Sequence, residues 1–434
     1  MEEVTDEPLY RDRVCGIDIG KAGMVATIRV PSDKDPSRRA RETRSFGTTK
    51  REVLALADWL RSWQVPAVVM EATSDWKGPF YRLEAEGFEC VLADAKQVRH
   101  LPGRPKHDPG DSRWLAACFE RGAVTSCFVA TGEFRIIRLH TRYRRDLTED
   151  RTREKNRAEK LLESAAIKLS SVVTDLHGVT GRDIMDHLIA GERNPKVLAQ
   201  LARARARRKI TELEQALEGA EFFTPGHAAL LAAMLARIDR VNAEIARLSE
   251  VIETLLEPYE EQLQQAESMP GWGRRAAQDA VAETGTDMTR FRTGAHLASW
   301  AGRTPLDNSS GKRKGKAKSK KGNRYLGGLL GETAVAAGKT QTREGARYRR
   351  LARRRGKAKA LVALGNTQLN VYHKLLSSPG MRYQDLGPDY YQRRAEVSRQ
   401  VRHHVGKLGA LGFDVTLCRI PEPEPAGPGT TQAA

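Results

Sequence analysis

A single acid stands inside the first apolar run of the chain. Val14-Cys15-Gly16-Ile17-Asp18-Ile19 reads as a short strand in which every other residue is apolar or glycine. A carboxylate in a strand core is costly unless it is paired or holds a cation. Whatever fold forms must therefore bring an opposite charge or a metal to Asp18. The chain then turns at Lys21-Ala22-Gly23 and returns as a second strand, Met24 to Val30, a connection of hairpin length. Lys50 to Trp63 has helical spacing, with Val53, Leu54, Leu56, Ala57 and Leu60 on one side. Ala67 to Met70 runs as a buried strand into Glu71. Phe80 to Glu86 reads as a short helix and Phe88 to Asp94 as another strand. Pro109 opens a helix reaching about Arg121, with Asp108 as its N-cap.

Four carboxylates then share one pattern: Asp18, Glu71, Asp108 and Asp111. Glu71 ends a buried strand, where α/β folds place ligands. Asp108 and Asp111 are three apart at a helix start and can point the same way. Oxygen-rich clusters of this kind hold Mg²⁺, and paired ions serve phosphoryl transfer. Taken singly, Asp108 and Asp111 read as helix caps and Glu71 as a strand-end surface residue. As a set, in the order strand–hairpin–strand–acid–strand–acid pair, they point to a ribonuclease-H-like metal nuclease core. No Gly-x-Gly-x-x-Gly follows the first strand, which argues against a Rossmann sheet.

Charge says what such a core would act on. Lys and Arg number 73 against 55 Asp and Glu, a formal net charge of +18, and the excess calls for a polyanionic partner. With 40% hydrophobic residues among 434, the chain can build real cores, in about three domains. No apolar run approaches the ~18 residues of a membrane span. The start is acidic and polar, unlike a signal peptide. The five cysteines (Cys15, Cys90, Cys118, Cys127, Cys418) are odd in number and lack Cys-x-x-Cys spacing, which fits a reducing cytoplasm.

Residues 11–130 thus read as the α/β metal domain. From 131 to 265 glycines thin out, charges crowd, and Arg135 to Leu169 reads as one charged helix. Leu231, Ile238, Ile245 and Ile252 are seven apart, with Met234, Val241, Leu248 and Leu255 as a companion series. Four heptads of this kind favour a two-stranded parallel coiled coil, although the partner helix could also belong to the same chain. Residues 266–385 form a mainly helical basic unit. In Met269-Pro-Gly-Trp-Gly, the glycines Gly271 and Gly273 precede a helix starting near Arg274. Such a turn can offer N–H groups to a phosphate, in the manner of a helix–hairpin–helix element, or simply join two helices. Ser309 and Ser310 stand before Gly311 and a basic run of Lys312, Arg313, Lys314, Lys316, Lys318, Lys320, Lys321 and Arg324. These cations can neutralise phosphates, and a hydroxyl among them could attack phosphorus if a base or metal activated it. A second basic run spans Arg343 to Lys359. Residues 386–434 form an extension whose tail from Pro421 lacks apolar periodicity and reads as disordered.

Seven segments occur together in order: Gly16-Ile-Asp-Ile-Gly-Lys, Val69-Met-Glu-Ala-Thr, Lys106-His-Asp-Pro-Gly-Asp, Met269-Pro-Gly-Trp-Gly, Leu297-Ala-Ser-Trp-Ala-Gly-Arg-Thr-Pro, Ser309-Ser-Gly and Lys320-Lys-Gly-Asn-Arg-Tyr-Leu. In this order they resemble the DEDD transposases of the insertion-sequence one-ten family, relatives of the Piv-type invertases, over residues 13–375. The resemblance implies a RuvC-like N-terminal domain, a helical linker and a C-terminal transposase domain carrying a serine. It implies Asp18, Glu71, Asp108 and Asp111 as ligands of Mg²⁺, for which Mn²⁺ can substitute, and Ser310 as the nucleophile of a phosphoserine link to DNA. It further implies guidance by a structured bridge RNA pairing with donor and target DNA. The site would be shared between protomers of a homo-oligomer, dimer or tetramer, in the nucleoid-associated cytoplasm of a bacterium. The sequence departs from the family at His107 and Ser112, where Lys-Thr-Asp-x-x-Asp-Ala is usual, and keeps both acids. Ser309 beside Ser310 leaves two hydroxyls to choose between. A RuvC-like nuclease using water and a non-catalytic scaffold are the alternative functions.

Overall fold

A computed structural model describes residues 10–21, 23–33, 35, 38–72, 75–94, 111–305, 309–310, 313–314, 319 and 321–418. The chain divides into two compact units, Met1–Val129 and Ala130–Ala434.

The first unit is a five-stranded mixed sheet of β1 (Val14–Ile19), β2 (Gly23–Pro31), β3 (Arg39–Gly47), β4 (Ala67–Glu71) and β5 (Glu89–Ala93). Their order is β3-β2-β1-β4-β5. The first three strands are antiparallel neighbours, while β1, β4 and β5 run parallel. This is the mixed topology of a ribonuclease-H-like fold. Successive residues of a strand face opposite sides, and both sides are used. Cys15, Ile17, Ile19, Ala26, Ile28, Val68 and Met70 are buried in one core with residues of α1 (Lys50–Ser62) and α2 (Lys77–Ala85). Val14, Ala67, Val69 and Ala93 are buried with Leu115 and Phe119 of α3 (Asp111–Glu120).

Strand β3 is absent from the sequence reading, and its composition explains why. Arg39 to Gly47 alternates charges and holds no buried residue. It is an edge strand whose polar side chains guard an exposed ladder, so period-two apolar patterning never develops. Its register is set by β2, from Gly23 opposite Gly47 to Pro31 opposite Arg39.

In the second unit the backbone of the packing is a pair of long helices, α4 (Gly132–Ser164) and α5 (Pro225–Leu256). Short helices between residues 169 and 216 fill the space beside them. Tyr143 donates to Glu244 (2.9 Å) and Arg151 to Asn242 (2.9 Å), while Ala158 and Leu162 are buried in one cluster with Leu231 and Leu235. Rising residue numbers on α4 meet falling ones on α5, so the pair is antiparallel. Leu231, Ile238, Ile245 and Ile252 are all buried, and Met234, Val241, Leu248 and Leu255 are half-buried. The heptad seam is present, but its partner in this structure is α4 of the same chain. An antiparallel pair needs the same apolar spacing as a parallel one, and spacing alone could not separate them. Thr224 caps α5 in a capping box with His227, and Pro225 takes the first turn.

The rest of this unit comprises α6 (Glu260–Glu267), α7 (Arg274–Thr284), α8 (Gly294–Trp300), the hairpin strands β6 (Ser309–Ser310) and β7 (Arg313–Lys314), α9 (Arg324–Gly338), α10 (Arg343–Arg355), α11 (Lys357–Leu376) and α12 (Tyr390–Ala410). Tyr372 of α11 is fully buried, stacks on Trp272 at 5.5 Å and shares a 2.9 Å hydrogen bond with Thr284. Arg144 of α4 is buried and donates to Gln278 (2.8 Å) and Asp279 (2.7 Å) of α7. The charged helix that the sequence assigns to a linker is therefore packed into the same body as the C-terminal helices. Residues 386–434 contain α12, which sequence patterning did not separate; the tail from Pro421 lies outside the described residues. No described helix is long and apolar enough to cross a membrane.

Gly16 decides how close α3 comes to the sheet. A side chain there would meet the Ser112 carbonyl oxygen at 2.3 Å and the Ala116 nitrogen at 2.5 Å. Gly16→Ala is expected to destabilise the amino-terminal unit by about 1–3 kcal/mol, read as a lowered urea midpoint with unchanged slope. An unchanged midpoint would mean that α3 does not pack this closely.

Candidate functional site

Strands β1 and β4 pair from Val14 opposite Ala67 to Ile17 opposite Met70. Asp18 and Glu71 are the next residue on each strand, so the two acids stand side by side at the carboxyl end of the parallel pair. They share the face of Gly16 and Val69, which is the face that α3 covers. The first turn of α3 is held over that end. Ser112 bonds Thr27 on β2 (Oγ–Oγ 2.8 Å), and Thr27 is the register partner of Gly16. Asp111, the residue before Ser112, begins the helix at the sheet end occupied by Asp18 and Glu71. All three acids are partly exposed.

The other end of α3 is pinned by charge. Glu120, 1% exposed, takes Arg29 at 2.8 Å and Arg39 at 2.6 Å. An acid at a helix C-terminus opposes the helix dipole, and two arginines at contact distance offset that. Helix α3 is thereby fixed at Glu120, at Gly16 and at Ser112.

Asp108 lies outside the described residues. Among the described residues no three His, Cys, Asp or Glu side chains form a group that could hold a metal. Among the described residues, the acids placed at this end of the sheet are Asp18, Glu71 and Asp111. Carboxylates are hard oxygen donors, which fit Mg²⁺ or Mn²⁺ better than a soft metal.

Ser309 and Ser310 form β6, paired to β7 with Ser309 opposite Lys314 and Ser310 opposite Arg313. A further bridge joins Pro305 to Ser319. The basic segment is thus a hairpin near whose tip Ser310 lies, with Arg313 as its cross-strand neighbour. Of the other cations, Lys312, Lys316, Lys318 and Lys320 lie outside the described residues, while Lys321 and Arg324 follow the hairpin. Its base is closed tightly: a side chain at Gly322 would meet the Ala301 carbonyl carbon and the Gly302 nitrogen at 2.4 Å.

From that base a buried polar chain runs into α7 and α4. Asn323 caps α9, accepting from the N–H groups of Tyr325 (3.0 Å) and Leu326 (3.2 Å), and donates to Glu283 (2.5 Å). Glu283 is 2% exposed and accepts both N–H groups of Arg142 at 2.7 Å, with Arg138 at 3.6 Å. Arg142 also lies over the Tyr325 ring at 4.7 Å. Neither Glu283 nor Asn323 was singled out from the sequence. The available signal was position: Glu283 follows Ala280 by three residues on the buried face of α7, a costly place for a charge unless it is paired. Beside it, burial pushes the Asp279 carboxyl above its ordinary range, against the pull of Arg144. Arg303, before the hairpin, donates to the Gly327 carbonyl, and burial holds its guanidinium below its ordinary value.

The glycine turn lies between α6 and α7. Gly271 has φ +79°, and a side chain there would meet Thr333 O and Ala337 N of α9 at 2.5 Å. Close packing on α9 is reason enough for this glycine. Gly273 is exposed and is the N-cap of α7. The next residue, Arg274, is held by Glu260 (2.6 Å), Glu253 and Glu267 (3.3 Å), and its hydrogen bonds to Glu260 and Glu253 raise its pKa. Three carboxylates around one cation leave little net attraction for a phosphate at this helix start.

Glu283→Gln takes the carboxylate from between Arg138 and Arg142. A loss of about 3 kcal/mol in unfolding free energy is expected, measured by chemical denaturation. A change under about 0.5 kcal/mol would show that the cluster does not hold α4, α7 and α9 together.

Comparison with known proteins bears on both regions. Residues 15–167 match the DEDD transposase model of the IS110 family, and residues 263–349 match the Transposase IS116/IS110/IS902 family. No curated protein matches the chain. The first segment contains Asp18, Glu71, Asp108 and Asp111, and the second contains the serine hairpin. Together the two segments take in 240 of the 434 residues, and the chain belongs to the IS110 family of DEDD transposases.

Proposed function

We propose that this transposase cuts and rejoins DNA through a phosphoserine intermediate on Ser310, directed by a structured bridge RNA. In this reading Asp18, Glu71, Asp108 and Asp111 hold Mg²⁺ or Mn²⁺. The observation that carries it is the placement of Asp18 beside Glu71 at one end of β1 and β4, with Asp111 starting α3 over the same end. The three acids sit at an edge where a phosphate could approach from solvent. A bound divalent ion supplies Lewis-acid polarisation of the phosphate and activation of an attacking hydroxyl.

The Ser310 oxygen attacks a backbone phosphorus, one phosphorus–sugar oxygen bond breaks, and the departing sugar oxygen takes up a proton in place of the one serine loses. One phosphate ester replaces another, so a second sugar hydroxyl can reverse the step and rejoin DNA without ATP. Arg313 and Lys314, opposite the serines in the hairpin, offset charge on the phosphate. The acids and the serine belong to different compact units, which suits a composite site assembled from two protomers of a dimer or tetramer. The cations around Ser310 contact the nucleic-acid backbone. Aromatic residues are only 6% of the chain, few for reading bases by stacking; base pairing within the RNA would supply sequence choice instead.

Two experiments test this reading. Mg²⁺ should raise the melting temperature of the wild type, since a ligand at about 100 times its Kd contributes about 2.7 kcal/mol. It should leave Asp18→Asn and Glu71→Gln unmoved, and an equal rise in those variants removes the metal assignment. A suicide DNA substrate, presented with the RNA that co-purifies with the protein, should trap a covalent adduct. That adduct should vanish in Ser310→Ala while persisting in Ser309→Ala. Full strand transfer by Ser310→Ala with no adduct leaves a nuclease that uses water. Full recombination by RNA-free protein ends the guided reading.

A further inference from the structure

We infer that the cleft between α10 and α12 is a second nucleic-acid contact, taking the phosphodiester backbone of a strand on Arg349, Arg350, Arg353 and Arg354. This rests on the reading of the chain as a nucleic-acid enzyme, but uses residues to which that reading gives no role. The cleft has a volume of about 500 Å³, and its walls include those four arginines with Tyr391 and Gln392.

The four arginines come from a helix with seven arginines in thirteen positions. Their spacing of three, four and five residues puts them on one side of the helix. At a rise of 1.5 Å per residue they span roughly 7 Å, the scale of neighbouring phosphates along a strand. The only acid of α10, Glu344, is buried and paired with Arg343 at 2.8 Å. Asp389, the one acid on the cleft wall among the described residues, pairs with Arg393 at 2.8 Å. Among the described residues no carboxylate forms an ion pair with Arg350, Arg353 or Arg354, and all three are exposed.

The helix dipole explains part of this. Cations in the last turn, Arg353 to Arg355, are modestly favoured there. That benefit fades within one turn and does not extend to Arg349 and Arg350, while like charges three and four apart repel by similar amounts. Two of the four side chains, Arg349 and Arg350, are nevertheless held in place. Arg350 lies 4.2 Å over the Tyr391 ring, and Arg347 donates to the Tyr391 hydroxyl at 3.4 Å. Arg349 is tied to the Thr340 carbonyl (3.0 Å) and to Gln341 (3.2 Å). Stacking occupies the flat face of a guanidinium and leaves its N–H edge for an acceptor. A row of unneutralised guanidiniums, two of them held in place, is relieved by a polyanion that displaces counterions.

The test is a salt titration on the full chain, with a short DNA duplex of arbitrary sequence in one arm and a structured RNA of equal length in the other. In the variant Arg350→Ala/Arg353→Ala/Arg354→Ala, affinity should fall more than tenfold at ~0.1 M salt. The slope of log K against log salt should shrink by about 2–3. A control removes the same charge from exposed arginines elsewhere in this unit (Arg205→Ala/Arg208→Ala/Arg247→Ala) and should change the slope by less than ~1. Replacing the cleft arginines with lysine keeps the charge and should keep the slope. A loss confined to one arm names the occupant as DNA or RNA. If the alanine variant matches the wild type or the control, or the lysine variant falls with it, the assignment is overturned. Wild-type protein that binds neither probe sinks the functional reading itself, and this inference with it.

Discussion

The approach of α3 to the backbone of Gly16 governs what the amino-terminal unit presents. With no side chain in the way, Ser112 and Ala116 lie directly against the middle strand. The helix start therefore hangs over the end where β1 and β4 stop. A glycine two residues before an acid on the same strand face thus does two things. It lets a helix come close, and it puts the first residue of that helix, Asp111, at the sheet end where the acid stands. The ion pairs of Glu120 with Arg29 and Arg39 hold the far end of α3, so the helix can neither slide nor lift. Because such charges are buried, their worth lies in being complete: losing one partner leaves the other uncompensated.

A comparable constraint operates in the second unit. Glu283 accepts from Arg142 and Asn323 and lies near Arg138, which ties α4, α7 and the start of α9 to one carboxylate. The serine hairpin leaves and rejoins the body at Ala301, Gly302 and Gly322, one residue from that node. A rigid base under a basic hairpin limits how far Ser310 can wander, the requirement for any group that must meet a phosphate at bonding distance. The two family matches span the acid-bearing segment and the serine hairpin. They leave the cleft of α10 and α12 as a further place for a strand to run.

Much of this was legible in the sequence. The run from Val14 to Ile19 announced a buried strand by its composition. The helix from Lys50 was visible from its periodicity, and the strand ending at Glu71 from a continuous apolar run, because both of its faces are buried. Strand β3 was not legible, since an edge strand draws its stability from a ladder with β2 and needs no apolar pattern of its own. The heptads from Leu231 were read as a coiled coil. They mark a seam, but a seam does not say which helix fills it or in which direction that helix runs. Gly271 was read as part of a turn that either meets a phosphate or simply joins two helices, and its missing side chain makes room for α9.

By itself, the sequence determined the residue types and their order: four acids in the α/β segment, a serine before a basic run, an arginine-rich helix, and an excess of positive charge. These follow from local chemistry and spacing, which any reader of the chain can see. Tertiary structure decided which of them share a place. Strand register put Asp18 beside Glu71, helix packing brought Asp111 to the same end, hairpin pairing set Arg313 opposite Ser310, and α12 closed a wall beside the arginines of α10. Register and packing depend on contacts between residues far apart in the chain. No local pattern encodes them, and the site proposed for these residues depends on those contacts.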